Sequence, residues 1–233
     1  MSILTLFVVI PLLMLLGLWL SKNLNQVRGV MVVGATALLA LSIWLTVYFI
    51  DQRASGNTAN MLLTYSVTWF EPLKIAYSVG VDGISVVMIL LSAIIVFTGT
   101  FASWQLKPLT KEYFLWFVLL SIGVFGFFIS TDMFTMFMFY EVALIPMYLL
   151  IGVWGTGPKE YSAMKLTLML MGGSALLILG ILGIYFFSGA QTMNVADLAQ
   201  LHAMPKSIQN IFFPFVFIGF GVLGALFPFH TWS

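Results

Sequence analysis

Long apolar stretches separated by isolated charges run the length of the chain. No charged side chain occurs in residues 1–21, and none between Arg28 and Asp51. Further uncharged stretches cover residues 83–106, 113–131, 166–196 and 207–233. Between Asp132 and Lys159 the only ionisable acid or base is Glu141. A bilayer-spanning helix takes about 20 mostly apolar residues, so each stretch predicts one span, seven in all. The runs are continuously apolar, whereas the strands of a membrane barrel alternate with period two. The pattern therefore predicts an all-α, polytopic transmembrane helix bundle. Residues 1–111 hold the first three spans and residues 112–233 the fourth to seventh. The connections are short except Asp51–Val79 and Ser188–Ser207, both read as loops.

Within the last stretch, Gly219, Gly221 and Gly224 precede Pro228, which has no N–H for the Gly224 carbonyl. This predicts a discontinuous seventh helix. The same glycines match GxGxxG, but inside an apolar span and without a βαβ context the match has no dinucleotide-binding meaning.

Composition agrees with the pattern. Hydrophobic residues make up 61% of the 233 and charged residues 7%, against roughly 25% charged in a soluble domain. A net charge of +1 offers no electrostatic basis for nucleic-acid binding. The absence of cysteine removes thiolate-held iron–sulfur clusters, Cys-ligated zinc, disulfides and thiol nucleophiles from this chain. Two histidines, His202 and His230, are too few for a haem or metal site of their own. The first stretch lacks a basic residue before its apolar run and an Ala-x-Ala-like site, so it reads as a retained helix, not a cleaved signal. With the N-terminus outside, the cytoplasmic loops hold Lys22, Arg28, Lys107, Lys111, Lys159 and Lys165, and the outer loops only Arg53, Lys74 and Lys206. Lys/Arg asymmetry favours that orientation.

The informative side chains are the ionisable ones inside the spans. Glu141 lies nine residues after Asp132, ~13.5 Å along a helix and so near the middle of a ~30 Å core. A carboxylate there costs roughly 2.5–3.5 kcal/mol on insertion scales. It is either a neutral, hydrogen-bonded packing residue or a protonatable site in an ion pathway. Pro146 favours the second reading, because it leaves the Val142 carbonyl without its helical donor and predicts a kink that admits water. Burial disfavours a charged carboxyl and a nearby cation favours it, so a movable positive charge could tune such a site. Lys165 opens the sixth span and either snorkels to the surface or points inward as that cation. His230 either marks the membrane surface beside Trp232 or belongs to the helix break. Asp82 and Asp132 stand at helix starts, where a carboxylate caps free N–H groups.

Four segments carry a resemblance: VGVDGISVVMILLSAII, FYEVALIPMYLLIGVWG, YSAMKLTLMLMGGSAL and FPFHTW. In this order and spacing they resemble the chain M family of bacterial NADH–quinone oxidoreductase, respiratory complex I, which includes the fourth mitochondrially encoded subunit. The resemblance runs along essentially the whole chain but covers only the family's N-terminal half. It implies an antiporter-like subunit fold that stops before the second inverted repeat, as a fragment of a longer protein would. It further implies that Glu141 is the fifth-helix glutamate of proton transfer, with Lys165 and His230 at family positions along the same path. One position departs: the lysine expected seven residues before the histidine is Leu223 here.

The function implied is a proton-translocating subunit coupling NADH-to-quinone electron transfer to proton transport. The redox centres are then elsewhere: NADH, FMN, iron–sulfur clusters and quinone belong to other subunits, and this chain binds none. Its partners would be other complex I membrane subunits and the bilayer, with protons and water as cargo and pathway. Its location would be the bacterial inner membrane. Two alternatives are a subunit of a multi-subunit sodium/proton antiporter or membrane-bound hydrogenase, and a structural membrane anchor.

Overall fold

In hydrocarbon every backbone N–H and C=O has to be paired within the protein, which helices achieve segment by segment. The computed structural model describes residues 2–187, 189, 192–200 and 205–232. Its long helices are α1 (Leu6–Leu20), α2 (Leu24–Ala54), α3 (Gly83–Ala102), α4 (Thr110–Ile129), α5 (Met133–Trp154) and α6 (Lys159–Phe187). A short α7 (Val195–Gln200) precedes α8 (Lys206–Leu223). Seven of these are long and apolar enough to cross a membrane, α7 being the exception. The seven-span bundle expected from the charge gaps is the fold observed. His202 lies outside the described residues.

The helices overrun the gaps that predicted them. The 31 residues of α2 take in Arg28, Asp51 and Arg53, and α6 begins at Lys159, so Lys165 is more than a turn inside it. α5 continues through Pro146 without interruption.

The chain divides into two compact units. The first, Met1–Tyr65 with Val79–Ile129, contains α1 to α4. There α1 packs on α2 and α4, and α3 joins α2 to α4. Its core includes Leu38, Ile89, Phe114 and a ring pair, Phe7 and Phe125, with centroids 5.5 Å apart. The second unit, Ser66–Ser78 with Ser130–Ser233, contains α5 to α8. Here α6 is the central helix, packed on α5 and on α8. Ile75, Leu177, Ile181, Tyr185 and Met193 form its buried cluster.

Two elements were not expected. α7 lies within the second segment read as a loop, and part of the first is a two-stranded hairpin, β1 (Leu62–Phe70) and β2 (Ile75–Val81). A 3-10 turn at Glu71–Leu73 and Lys74 in a left-handed conformation, φ 49°, connect the strands. Gaps between charges locate membrane spans and are blind to strands outside the bilayer. The hairpin signal was the run of β-branched and aromatic residues from Thr64 to Phe70.

The seventh span stops where its glycines suggested. α8 ends at Leu223, the Gly224 N–H donates to the Phe220 carbonyl at 2.8 Å, and Ala225 takes φ 52°. A 3-10 turn, Phe229–Trp232, follows, and the Trp232 indole N–H donates to the Val222 carbonyl at 2.8 Å. That bond adds a second donor to a carbonyl at the end of α8 that also accepts from the Ala225 N–H at 3.2 Å.

Small residues set how closely α6 and α8 approach. A Cβ at Gly219 would stand 2.8 Å from Leu177 Cβ and 3.0 Å from Leu177 Cα. Backbone atoms cannot step aside, so Gly219→Ala should cost about 1–3 kcal/mol and lower the thermal midpoint of the detergent-solubilised chain. Gly172→Ala, where the added methyl meets nothing within 4 Å, should be neutral or stabilising. Equal effects of the two substitutions would overturn this account of the contact.

Candidate functional site

The start of α5 is held by a buried polar clasp. Asp132, 1% exposed, accepts a hydrogen bond from the Thr135 N–H at 2.9 Å and one from the Ala76 N–H in β2 at 3.3 Å. The Thr135 hydroxyl donates to the Ala76 carbonyl at 2.8 Å. Thr131 donates to the Ser78 hydroxyl at 2.9 Å, and the Asn194 amide donates to the same oxygen at 3.2 Å. Asn194 in turn accepts from the Ala196 N–H at the start of α7. The expected capping role of Asp132 is thus observed, with an additional hold on β2. Asp82 caps α3 in the same way, accepting from the Ser85 N–H at 2.8 Å.

From this clasp α5 carries Glu141 nine residues onward, ~13.5 Å along the axis. Glu141 is half-buried, and its Oε1 is buried without a hydrogen-bond partner. Buried polar atoms in folded proteins nearly always have a partner, so each exception calls for an account. Tyr140 beside it is 5% exposed and donates its hydroxyl to the Leu170 carbonyl of α6 at 3.0 Å. This bond brings the Tyr140 hydroxyl to the level of the Leu170 carbonyl. Beyond Met171 along α6, Gly172 and Gly173 have no side chains, and Ser174 is small. Facing α8, Gly173 is closely covered by Val222.

Lys165 is half-buried on α6, five residues before Leu170, ~7.5 Å along the helix axis. His230 is exposed in the turn after α8, its ring stacked on Phe227 with centroids 5.6 Å apart. Neither is bonded to Glu141 Oε1, which has no partner. The three candidate residues therefore lie in one unit, on α5, on α6 and in the turn after α8, without direct ion pairing to that oxygen. Leu223 is the last residue of α8 and is half-buried. Among the described residues no three His, Cys, Asp or Glu side chains gather as a metal site would require.

Sequence reasoning missed Tyr140 and the clasp partners Ser78, Thr131 and Asn194. Tyr140 bonds a backbone carbonyl, and the clasp joins residues up to 116 positions apart. Neither leaves a mark in local spacing.

Asp132 lies just before its span, and burial pushes its carboxyl above the usual value. The opposing hydrogen bonds from Thr135 and Ala76 are the smaller influence. A carboxyl raised in the folded state adds stability below its unfolded pKa and loses it as pH rises through the folded value. The melting temperature of the parent chain relative to Asp132→Asn should therefore increase on acidification from about pH 7 to about pH 4. A difference that shrinks on acidification would contradict a desolvated carboxyl at the head of α5.

Residues 130–233 match the family profile Proton_antipo_M, described as NADH:quinone oxidoreductase/Mrp antiporter, TM. The chain is 31% identical over 176 residues to NAD(P)H-quinone oxidoreductase chain 4-2 of Synechocystis, covering 76% of this chain and 31% of that one. It is 28% identical over 236 residues to NADH-quinone oxidoreductase subunit M of Rickettsia prowazekii, covering 100% of this chain and 47% of that one. The chain thus spans less than half the length of these relatives. Among solved structures, the fold is similar to a chain of respiratory complex I from Thermus thermophilus, TM-score 0.84 at 22% identity over 98% of this chain and 45% of that one. It is also similar to a chain of the Mrp complex from Dietzia, TM-score 0.79 at 20% identity over 98% of this chain and 42% of that one.

Proposed function

We propose that this chain, a homologue of the N-terminal half of NADH–quinone oxidoreductase subunit M, is a proton-translocating membrane subunit of such an oxidoreductase. The observation that carries the reading is Glu141: a carboxyl in mid-span with a buried, partnerless oxygen, inside the segment that matches the family profile. A pure anchor has no reason to bear that insertion cost. The chain works within a larger assembly. NADH, FMN, iron–sulfur clusters and quinone are handled by other subunits, and this chain moves protons when they turn over. It resides in the inner membrane of a bacterium with its N-terminus outside and pairs with other membrane subunits.

In this reading Glu141 takes up and releases a proton, and its unpaired oxygen is where water or the next carrier docks. Lys165, on the neighbouring helix and not bonded to Glu141 Oε1, acts on it as a cation through water. Leu223 stands where the family places a cation on the seventh helix, and Lys165 takes that part in this reading. His230 stands at the helix break as the next group along the path. A second reading, a subunit of a sodium/proton antiporter, is favoured by the profile's shared description and the Mrp neighbour.

Proton translocation by the full assembly in vesicles tests this. Glu141→Gln should abolish it, since an amide cannot carry the proton, and Glu141→Asp should retain part of it. Lys165→Ala should impair pumping nearly as much, and the double variant should add little, as for groups acting as one unit. Wild-type pumping by Glu141→Gln would overturn the proposal. Transport that requires sodium and persists without NADH would favour the antiporter.

Orientation has its own test, made simple by the lack of native cysteine. Ser55→Cys should label with an impermeant thiol reagent from outside intact cells, and Thr156→Cys only after the cytoplasmic face is opened. The reverse pattern would invert the topology.

A further inference from the structure

In the first unit, α1 and α2 approach each other closely at two points. A Cβ at Gly34 would run into Met14, and one at Gly17 would stand 3.1 Å from Val30 Cγ1. Beside these contacts lies a groove of about 570 Å³. Its lining includes Leu13 and Gly17 of α1 and Gln26, Gly29, Val33 and Ala37 of α2. Leu13 is 60% and Val33 71% exposed. From Gln26 to Ala37 the groove runs ~16 Å along α2, about the depth of one leaflet of a ~30 Å core. Apart from Gln26, its lining residues are apolar or glycine.

The end of the unit where Gln26 lies is basic. The end of α1, the start of α2, the end of α3 and the start of α4 meet there, bringing Lys22, Arg28, Lys107 and Lys111 against the single acid Glu112. Lys111 donates to the carbonyls of Trp19 and Ser21 at 3.0 and 2.7 Å. Arg28 donates to the Trp104 carbonyl at 2.8 Å and lies over its ring at 4.9 Å. These bonds tie the four helix ends together. Lys22 and Lys107 are exposed. Gln26 turns its Oε1 to the N–H groups of Lys22 and Asn23, at 2.9 and 3.4 Å. Its amide N–H groups are thereby left for another acceptor.

We propose that this groove binds an anionic phospholipid, one acyl chain lying between α1 and α2 and the phosphate meeting Lys22, Lys107 and the Gln26 amide. An apolar channel one leaflet deep with cations gathered at one end has the polarity of an anionic amphiphile. A partner's transmembrane helix would have no use for charge at a single end. Clusters of Lys and Arg at the membrane surface attract anionic lipid, and the groove adds a fixed place for its tail. The proposal is independent of the role assigned to Glu141.

The full chain within its assembly, reconstituted in vesicles, decides it. Phosphatidylglycerol and phosphatidylcholine, each with a photoactivatable acyl chain, would be crosslinked and the adducts mapped by mass spectrometry. Phosphatidylglycerol adducts should concentrate on the α1–α2 segment holding Leu13 and Val33, several-fold above phosphatidylcholine. Lys22→Gln with Lys107→Gln should bring the two lipids level. Gly29→Phe should remove the adducts by filling the groove, and a Cβ at Gly29 meets nothing within 4 Å. The lysine variants leave the groove wall untouched and keep the test decisive should Gly29→Phe fail to fold. Equal labelling by both lipids in the parent chain would reduce the site to ordinary boundary lipid and overturn the proposal. So would the absence of adducts because a partner helix covers the groove.

Discussion

Everything here follows from the requirement that backbone hydrogen-bonding groups be satisfied where no water can reach them. Helix interiors meet it automatically; helix ends do not, since several N–H or C=O groups are left over at each. Several polar side chains of this protein accordingly serve those ends. Asp82 and Asp132 accept from the free N–H groups of α3 and α5. Lys111 donates to carbonyls at the end of α1, and the Trp232 indole to one at the end of α8. Against that background, a carboxyl in mid-helix with an unpaired buried oxygen, Glu141, serves no helix end. Its position therefore calls for a reason other than folding.

Lipid is as apolar as leucine, so burial of hydrophobic side chains does little to hold these helices together. Close approach of backbones takes its place. Along α6, Gly173, Gly180 and Gly183 meet Val222, Val216 and Phe212 of α8. Nearer the start of α6, the Tyr140 hydroxyl bonds the Leu170 carbonyl. The central helix is thus packed by shape on α8 and latched by a hydrogen bond to α5. The latch is adjacent in sequence to Glu141, so the orientation of the carboxyl and the fit of α5 on α6 are set together.

Much of the bundle was legible in the sequence because lipid imposes one crude rule, the exclusion of charge, that single residues such as Asp82, Lys107 and Lys159 report directly. The break after α8 was legible for a similar reason, since Gly224 and Pro228 act through their own backbones. The hairpin was not, because β1 lies outside the region governed by that rule and its pattern of Thr, Tyr, Val and Trp is weaker. Of the site, Glu141 announced itself as a charge out of place. Its surroundings did not, since Tyr140 bonds to a carbonyl, Asp132 to the N–H of a distant strand, and the side-chain direction of Lys165 is set by packing.

The length of α2 has a consequence for the membrane itself. Between Arg28 and Asp51 lie 22 uncharged residues, ~33 Å of helix, a few ångströms longer than an average hydrocarbon core. At one margin Arg28 is fastened to Trp104; at the other Arg53, just past Asp51, turns to the Asn57 carbonyl and to the Phe49 ring of its own helix. A helix bounded by charges at both interfaces is a ruler. In a thinner bilayer it has to lean or draw the surrounding lipid up around it.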